Sequence, residues 1–158
     1  MARDNDSAAQ AHYSAVALLV GREHSAAELQ RKLSAKGYDE NSIAQVIQEL
    51  QSRGLQSDER FAEAYVRSRQ MRGYGPQRIQ HQLRERGVSE ALIREMIDAQ
   101  ADEWSELIVR VRVKRFGEEA PEDYKAQAKQ MRFLQYRGFS HEQIRALFDD
   151  LRCAVTTD

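Results

Sequence analysis

A six-residue phrase, Leu-x-x-basic-Gly-apolar, occurs four times in this chain: at Leu33–Tyr38, Leu50–Leu55, Leu83–Val88 and Leu134–Phe139. Each copy has the chemistry of a helix end. Its glycine (Gly37, Gly54, Gly87, Gly138) tolerates the left-handed backbone that a Cβ resists. The apolar residue after the glycine folds back onto the leucine, as in a Schellman cap. The basic residue before it (Lys36, Arg53, Arg86, Arg137) meets the negative end of the helix dipole. A chain punctuated in this way is built from short helices.

Three of the four copies recur at a fixed distance. Gly37 and Gly87 are 50 residues apart, and Gly87 and Gly138 are 51 apart. Positions +6, +9, +10 and +13 from these glycines are Ile43, Val46, Ile47 and Leu50, then Ile93, Met96, Ile97 and Gln100, then Ile144, Leu147, Phe148 and Leu151. All but Gln100 are apolar, at the spacing of one helix face. The expected fold is therefore all-α: an elongated tandem array of three three-helix repeats, about nine helices in all. Helices are expected at 8–20, 25–36 and 40–53, then at 58–72, 76–86 and 89–99, then at 101–116, 121–137 and 140–151. Ser7 with Gln10, Ser25 with Glu28, and Ser140 with Gln143 fit capping boxes at helix starts. Pro76 and Pro121 suit first helical positions. The expected divisions are a loose N-terminus at 1–6, repeats at 7–56, 57–100 and 101–152, and a tail at 153–158.

Several function classes lack their chemistry here. Gly73-Tyr74-Gly75-Pro76 contains no lysine and is too short for a phosphate loop. The histidines (His12, His24, His81, His141) have no second ligand one turn away, and with Cys153 as the one cysteine no structural zinc site is expected. No nucleophile sits in a recognisable motif. Neither an enzyme nor a cofactor or metal protein is expected. No apolar run reaches membrane-spanning length, no secretory signal opens the chain, and one cysteine fits a reducing, cytoplasmic setting.

Net charge is −1, but its distribution is uneven. Residues 60–86 hold seven arginines against Glu63 and Glu85. Such asymmetry, rather than the total, governs partners. The segment from Arg67 to Arg78 is the first candidate site. Arg69, Arg72 and Arg78 supply charge, Tyr74 could stack on a base, and Gly75 could leave the next helix's first amides open to phosphate. The plainer reading is a helix end with surface arginines and a turn tyrosine. On the helix at 121–137, Lys125, Lys129, Arg132 and Tyr136 share one face. That stripe fits a phosphate backbone, an acidic protein groove, or simply a solvated surface. Arg110 to Arg115 alternate with valines, a period that scatters charge around a helix and makes a weaker site. Phe61, Tyr65, Trp104 and Phe116 read as core.

The chain also resembles the RecX family, bacterial modulators of the RecA recombinase. The resemblance rests on Ser25 to Leu33 with Gly37-Tyr38, on Asp58-Glu-Arg-Phe-Ala62, on Arg69 to Ile79 followed by Leu83 and Gly87, and on Arg132 to Phe139. It implies three tandem three-helix repeats and a non-enzymatic protein that binds the RecA–DNA filament. It further implies inhibition of RecA's ATPase, strand-exchange and coprotease activities, and so a role in recombination, DNA repair and the SOS response. Contact with single-stranded DNA inside the filament would follow; a membrane or small-molecule substrate would not, and a monomer would suffice. Charge and motif position nominate Arg69, Arg72, Tyr74 and Arg78, then Lys129, Arg132, Tyr136 and Arg137, as filament or DNA contacts. The alternative is an autonomous DNA-binding protein built on helix-turn-helix-like units.

Overall fold

The computed structural model of the protein describes residues 2–156, with side chains from Asn5 onward. Among the described residues there are nine helices and no strand: α1 Ala2–Gly21, α2 Ala26–Ala35, α3 Glu40–Ser52, α4 Asp58–Met71, α5 Pro76–Glu85, α6 Glu90–Asp98, α7 Ala101–Phe116, α8 Tyr124–Arg137 and α9 His141–Val155.

All four glycine phrases close helices as Schellman caps. The amide of the apolar residue bonds the leucine carbonyl in each, at 3.3 Å for Tyr38–Leu33, 2.8 Å for Leu55–Leu50, 3.1 Å for Val88–Leu83 and 3.2 Å for Phe139–Leu134. A fifth cap has the same bonding without the leucine. Tyr74 N–H donates to the Arg69 carbonyl (3.1 Å) and Gly73 N–H to that of Gln70 (2.9 Å), with Gly73 at φ 80°. Arg69 stands where the other phrases have leucine, so a search keyed to an apolar first position passes over it.

The chain divides into two compact units, Met1–Tyr65 with Leu83–Ile93, and Val66–Gln82 with Arg94–Asp158. In the first, Ala11 and Ala15 of α1 meet Leu33 of α2 and Ile43, Val46 and Leu50 of α3, with Val16, Leu19, Tyr38 and Ile47 packed around them. Alanines on α1 let it approach closely, since a small side chain costs no space at the contact. In the second unit Trp104, Leu107, Ile108, Leu134, Phe139, Ile144, Leu147 and Phe148 are buried. The +6, +9 and +10 positions of the repeat thus supply core in both units, as their spacing predicts.

Three expected boundaries differ. Helix α1 starts at Ala2, so residues 2–6 are helical rather than loose and Ser7 lies inside the helix. Asp4 and Asp6 complement the positive end of a helix that begins ahead of that capping signal; Met1 lies outside the described residues. Pro121 is not a first helical residue: α8 starts three residues later, with Asp123 accepting from the Ala126 amide at 2.7 Å. A side-chain cap satisfies an otherwise unpaired amide, which proline's fixed φ alone does not do. At the other end α9 continues through Val155, into the expected tail, with Thr156 as its C-cap. Ser25 and Ser140 cap α2 and α9 as expected, the latter as a full capping box with Gln143, and Pro76 opens α5.

Candidate functional site

Most of the nominated residues meet in the second unit, where the loop before α5 packs on the end of α8. The join is made by backbone. Gly75 N–H donates to the Arg137 carbonyl at 2.8 Å, and Gln77 N–H to the Gly138 carbonyl at 2.9 Å. So close an approach leaves no room for a Cβ on either side. One added to Gly75 would lie 2.5 Å from the Gly138 carbonyl carbon, and one added to Gly138 would lie 2.3 Å from the Arg78 Cβ. The positive end of α5 and the negative end of α8 therefore satisfy each other. This corrects the expectation of an open phosphate site: the α5 amides near Gly75 are occupied by protein carbonyls.

The same join assembles an arginine–tyrosine stack. The Arg78 guanidinium lies 4.2 Å from the Tyr74 ring centre and 5.5 Å from that of Tyr136. Arg137 reaches the Tyr74 ring at 5.5 Å and the Phe133 ring at 5.3 Å, and donates to the Arg72 carbonyl at 2.9 Å. Tyr136 remains 77% exposed, so the stack presents an aromatic surface. Lys129 and Arg132 are exposed on the face of α8 that leads to Tyr136, as is Lys125. The loop candidates and the α8 stripe, far apart in sequence, thus form one surface at Tyr74, Arg78 and Tyr136. Arg69 plays a different part: it is half-buried and its carbonyl closes the fifth cap. Arg72 is exposed at the rim.

The alternating run on α7 resolves differently from its expected scatter. Arg112 turns inward and is 1% exposed. Its Nε donates to Gln130 at 2.9 Å, and its two terminal nitrogens to the carbonyls of Gly117 and Glu119. Burial lowers its pKa from the usual arginine value, but a guanidinium starts so high that it stays charged. Arg110, Lys114 and Arg115 face a groove of about 730 Å³ with Arg72, Arg137 and Phe133. Arg110 and Lys114 are one turn apart, and that i, i+4 spacing was the available signal. Among the described residues no His, Cys, Asp and Glu group could hold a metal ion, and no helix is long and apolar enough to cross a membrane.

The three matching family domains are the first, second and third three-helix domains of RecX, over residues 11–50, 57–97 and 101–148. A relative from Halorhodospira halophila, named regulatory protein RecX, is 41% identical over 84% of this chain and 83% of its own length. The chain belongs to the RecX family. Another RecX regulatory protein, from Legionella pneumophila (strain Corby), is 38% identical over 88% of this chain and 93% of its own. The crystal structure of RecX from Lactobacillus salivarius superposes with a TM-score of 0.82, covering 94% of this chain and 99% of that one at 22% identity. The RecX three-helix repeat is thus the fold, and the relatives' name carries a regulatory role.

Proposed function

We propose that this protein is a non-enzymatic cytoplasmic regulator that binds the RecA–DNA filament and inhibits RecA's recombinase, ATPase and coprotease activities. It would thereby modulate homologous recombination, DNA repair and the SOS response. RecX membership supports the regulatory role. The observation that carries the interface is the exposed stripe of Lys125, Lys129 and Arg132 running into the Tyr136–Arg78–Tyr74 stack. Cations aligned with an exposed ring suit a polyanionic polymer bearing stackable groups, and long-range attraction would speed encounter with the filament.

The test is RecA-catalysed ATP hydrolysis on single-stranded DNA, with this protein well below one copy per RecA protomer. Strong inhibition is expected, because blocking one position can halt a linear polymer. Arg72→Ala with Arg132→Ala should weaken inhibition about tenfold, as loss of interfacial charge commonly does, while leaving the fold intact. Full inhibition by the double variant would remove these residues from the interface. No inhibition by the wild-type protein at equal stoichiometry would defeat the filament reading. Tight binding to naked DNA would then favour the autonomous alternative, with about five phosphate contacts giving a salt slope near −4.5.

A further inference from the structure

The groove beside α7 differs in chemistry from the α8 stripe. Its floor is aliphatic: Leu107 and Val111, 4% and 9% exposed, with Val111 Cγ2 close beneath Gly73. Phe133 forms one wall, held edge-on to Phe116 at 5.3 Å. Met71 stands on the rim at 85% exposure, a large apolar side chain in water. Cations line the groove, Arg67 from α4, Arg72 just after it, and Arg110 and Lys114 from α7, with the acids Glu103 and Glu106 nearer the start of α7.

We propose that this groove seats an acidic amphipathic segment of a partner protein, with one aliphatic side chain on the floor and carboxylates against Arg72, Arg110 and Lys114. Charge complementarity selects the carboxylates. The polarity of α7 sets the direction: the segment's acidic end lies toward Lys114, and a neutral or basic residue lies against Glu103 and Glu106. A methionine on the rim suits such a partner, because its flexible thioether adapts to an incoming apolar side chain. A polynucleotide fits poorly. Its uniform phosphates would meet the two glutamates, and the Phe133 ring is already engaged by the guanidiniums of Arg115 and Arg137 at 5.9 and 5.3 Å. The inference rests on the reading that the protein works by holding another protein, and adds what that partner must present.

The experiment uses the full chain and a fluorescein-labelled helical peptide. The peptide has a lysine in its first turn, a central leucine and a following run of glutamates. A twin carries serine in place of the leucine, and labelled oligothymidylate is the third probe. By fluorescence anisotropy the leucine peptide should bind about tenfold or more tightly than its twin, the least that burying one aliphatic side chain is worth. Arg110→Glu with Lys114→Glu should abolish that binding, and so should Met71→Glu, which changes a side chain too exposed to affect folding. Lys125→Glu with Lys129→Glu should leave it unchanged. Equal binding of the twin, or unchanged binding by the groove variants, would overturn the proposal. So would displacement of the peptide by oligothymidylate together with loss of oligothymidylate binding in the groove variants. If peptide binding fails while wild-type protein still inhibits RecA, the groove assignment falls and the filament reading stands.

Discussion

Replacing Gly75 with alanine tests the join between α5 and α8 directly. The added methyl would lie 2.5 Å from the Gly138 carbonyl carbon and 2.6 Å from both the Gly138 oxygen and the Phe139 nitrogen. All three are backbone atoms, so no side chain can swing aside. The loop must retreat, taking with it the Gly75–Arg137 and Gln77–Gly138 hydrogen bonds of 2.8 and 2.9 Å. Two hydrogen bonds at about 1 kcal/mol each, with overpacking of about 1–3 kcal/mol, put the cost at no less than about 3 kcal/mol. For a chain of this size that lowers Tm by about 6–12 °C, measured by far-ultraviolet circular dichroism. Gly21→Ala is the control. Nothing lies within 4 Å of its added Cβ, and alanine in a helix is favoured over glycine, so Tm should hold or rise. Because the join also stacks Arg78 between Tyr74 and Tyr136, Gly75→Ala should weaken RecA inhibition at temperatures where it remains folded. A Tm within about 1 °C of wild type would refute the backbone-contact reasoning.

The same phrase should give unequal costs at different copies. Gly37→Ala meets only the strain of φ +93° with nothing within 4 Å, whereas Gly87→Ala, at φ +77°, also drives its methyl to 2.3 Å from the Ala27 Cβ. Chemical denaturation should show Gly37→Ala losing about 1 kcal/mol and Gly87→Ala about 1–3 kcal/mol more; equal losses would contradict the packing. His24 should make stability pH-dependent. It is buried, its Nδ1 bonds the Arg22 carbonyl at 3.0 Å and its Nε2 faces the Lys32 ammonium at 3.1 Å. Burial, with the charges of Arg22 and Lys32, lowers its pKa from 6.5 against the opposing pull of Glu28 and the backbone bond. As pH falls below 6.5 the unfolded chain therefore takes up the proton first. This contribution is complete above that pH and lost as pH falls through the folded value. His24→Gln should flatten the slope of stability between neutral pH and pH 5, and an identical slope would rule His24 out. Arg112→Met should cost about 2 kcal/mol by removing its charged hydrogen bonds. It should also expose residues 117–123 to limited proteolysis; an unchanged cleavage pattern would show that Arg112 does not hold that segment.

Helix ends were legible because their chemistry is local. A glycine with φ > 0, followed by an apolar residue five positions after a leucine, specifies a Schellman cap without reference to the rest of the chain. The repeat followed from the recurrence of those caps with one apolar face. The fifth cap escaped because Arg69 stands at the usual leucine position. Helix α8 starts later than Pro121 suggests because the Asp123 side chain accepts a capping hydrogen bond from the Ala126 amide, which proline's fixed φ alone cannot replace.

The candidate surface divides along the same physical line. The sequence alone determined that Lys125, Lys129, Arg132 and Tyr136 share a face, because helical geometry fixes which neighbours i, i+4, i+7 and i+11 become. Only the tertiary structure decided that Tyr136 meets Arg78, 58 residues away, and that carbonyls of α8 fill the amides beside Gly75. It likewise decided that Arg112 turns inward while Arg110 and Lys114 turn toward a groove. Period and propensity are properties of a segment. Which face a charged side chain takes, and whether a helix end stays open to a ligand, depend on what distant chain packs there and on whether burial is repaid by hydrogen bonds.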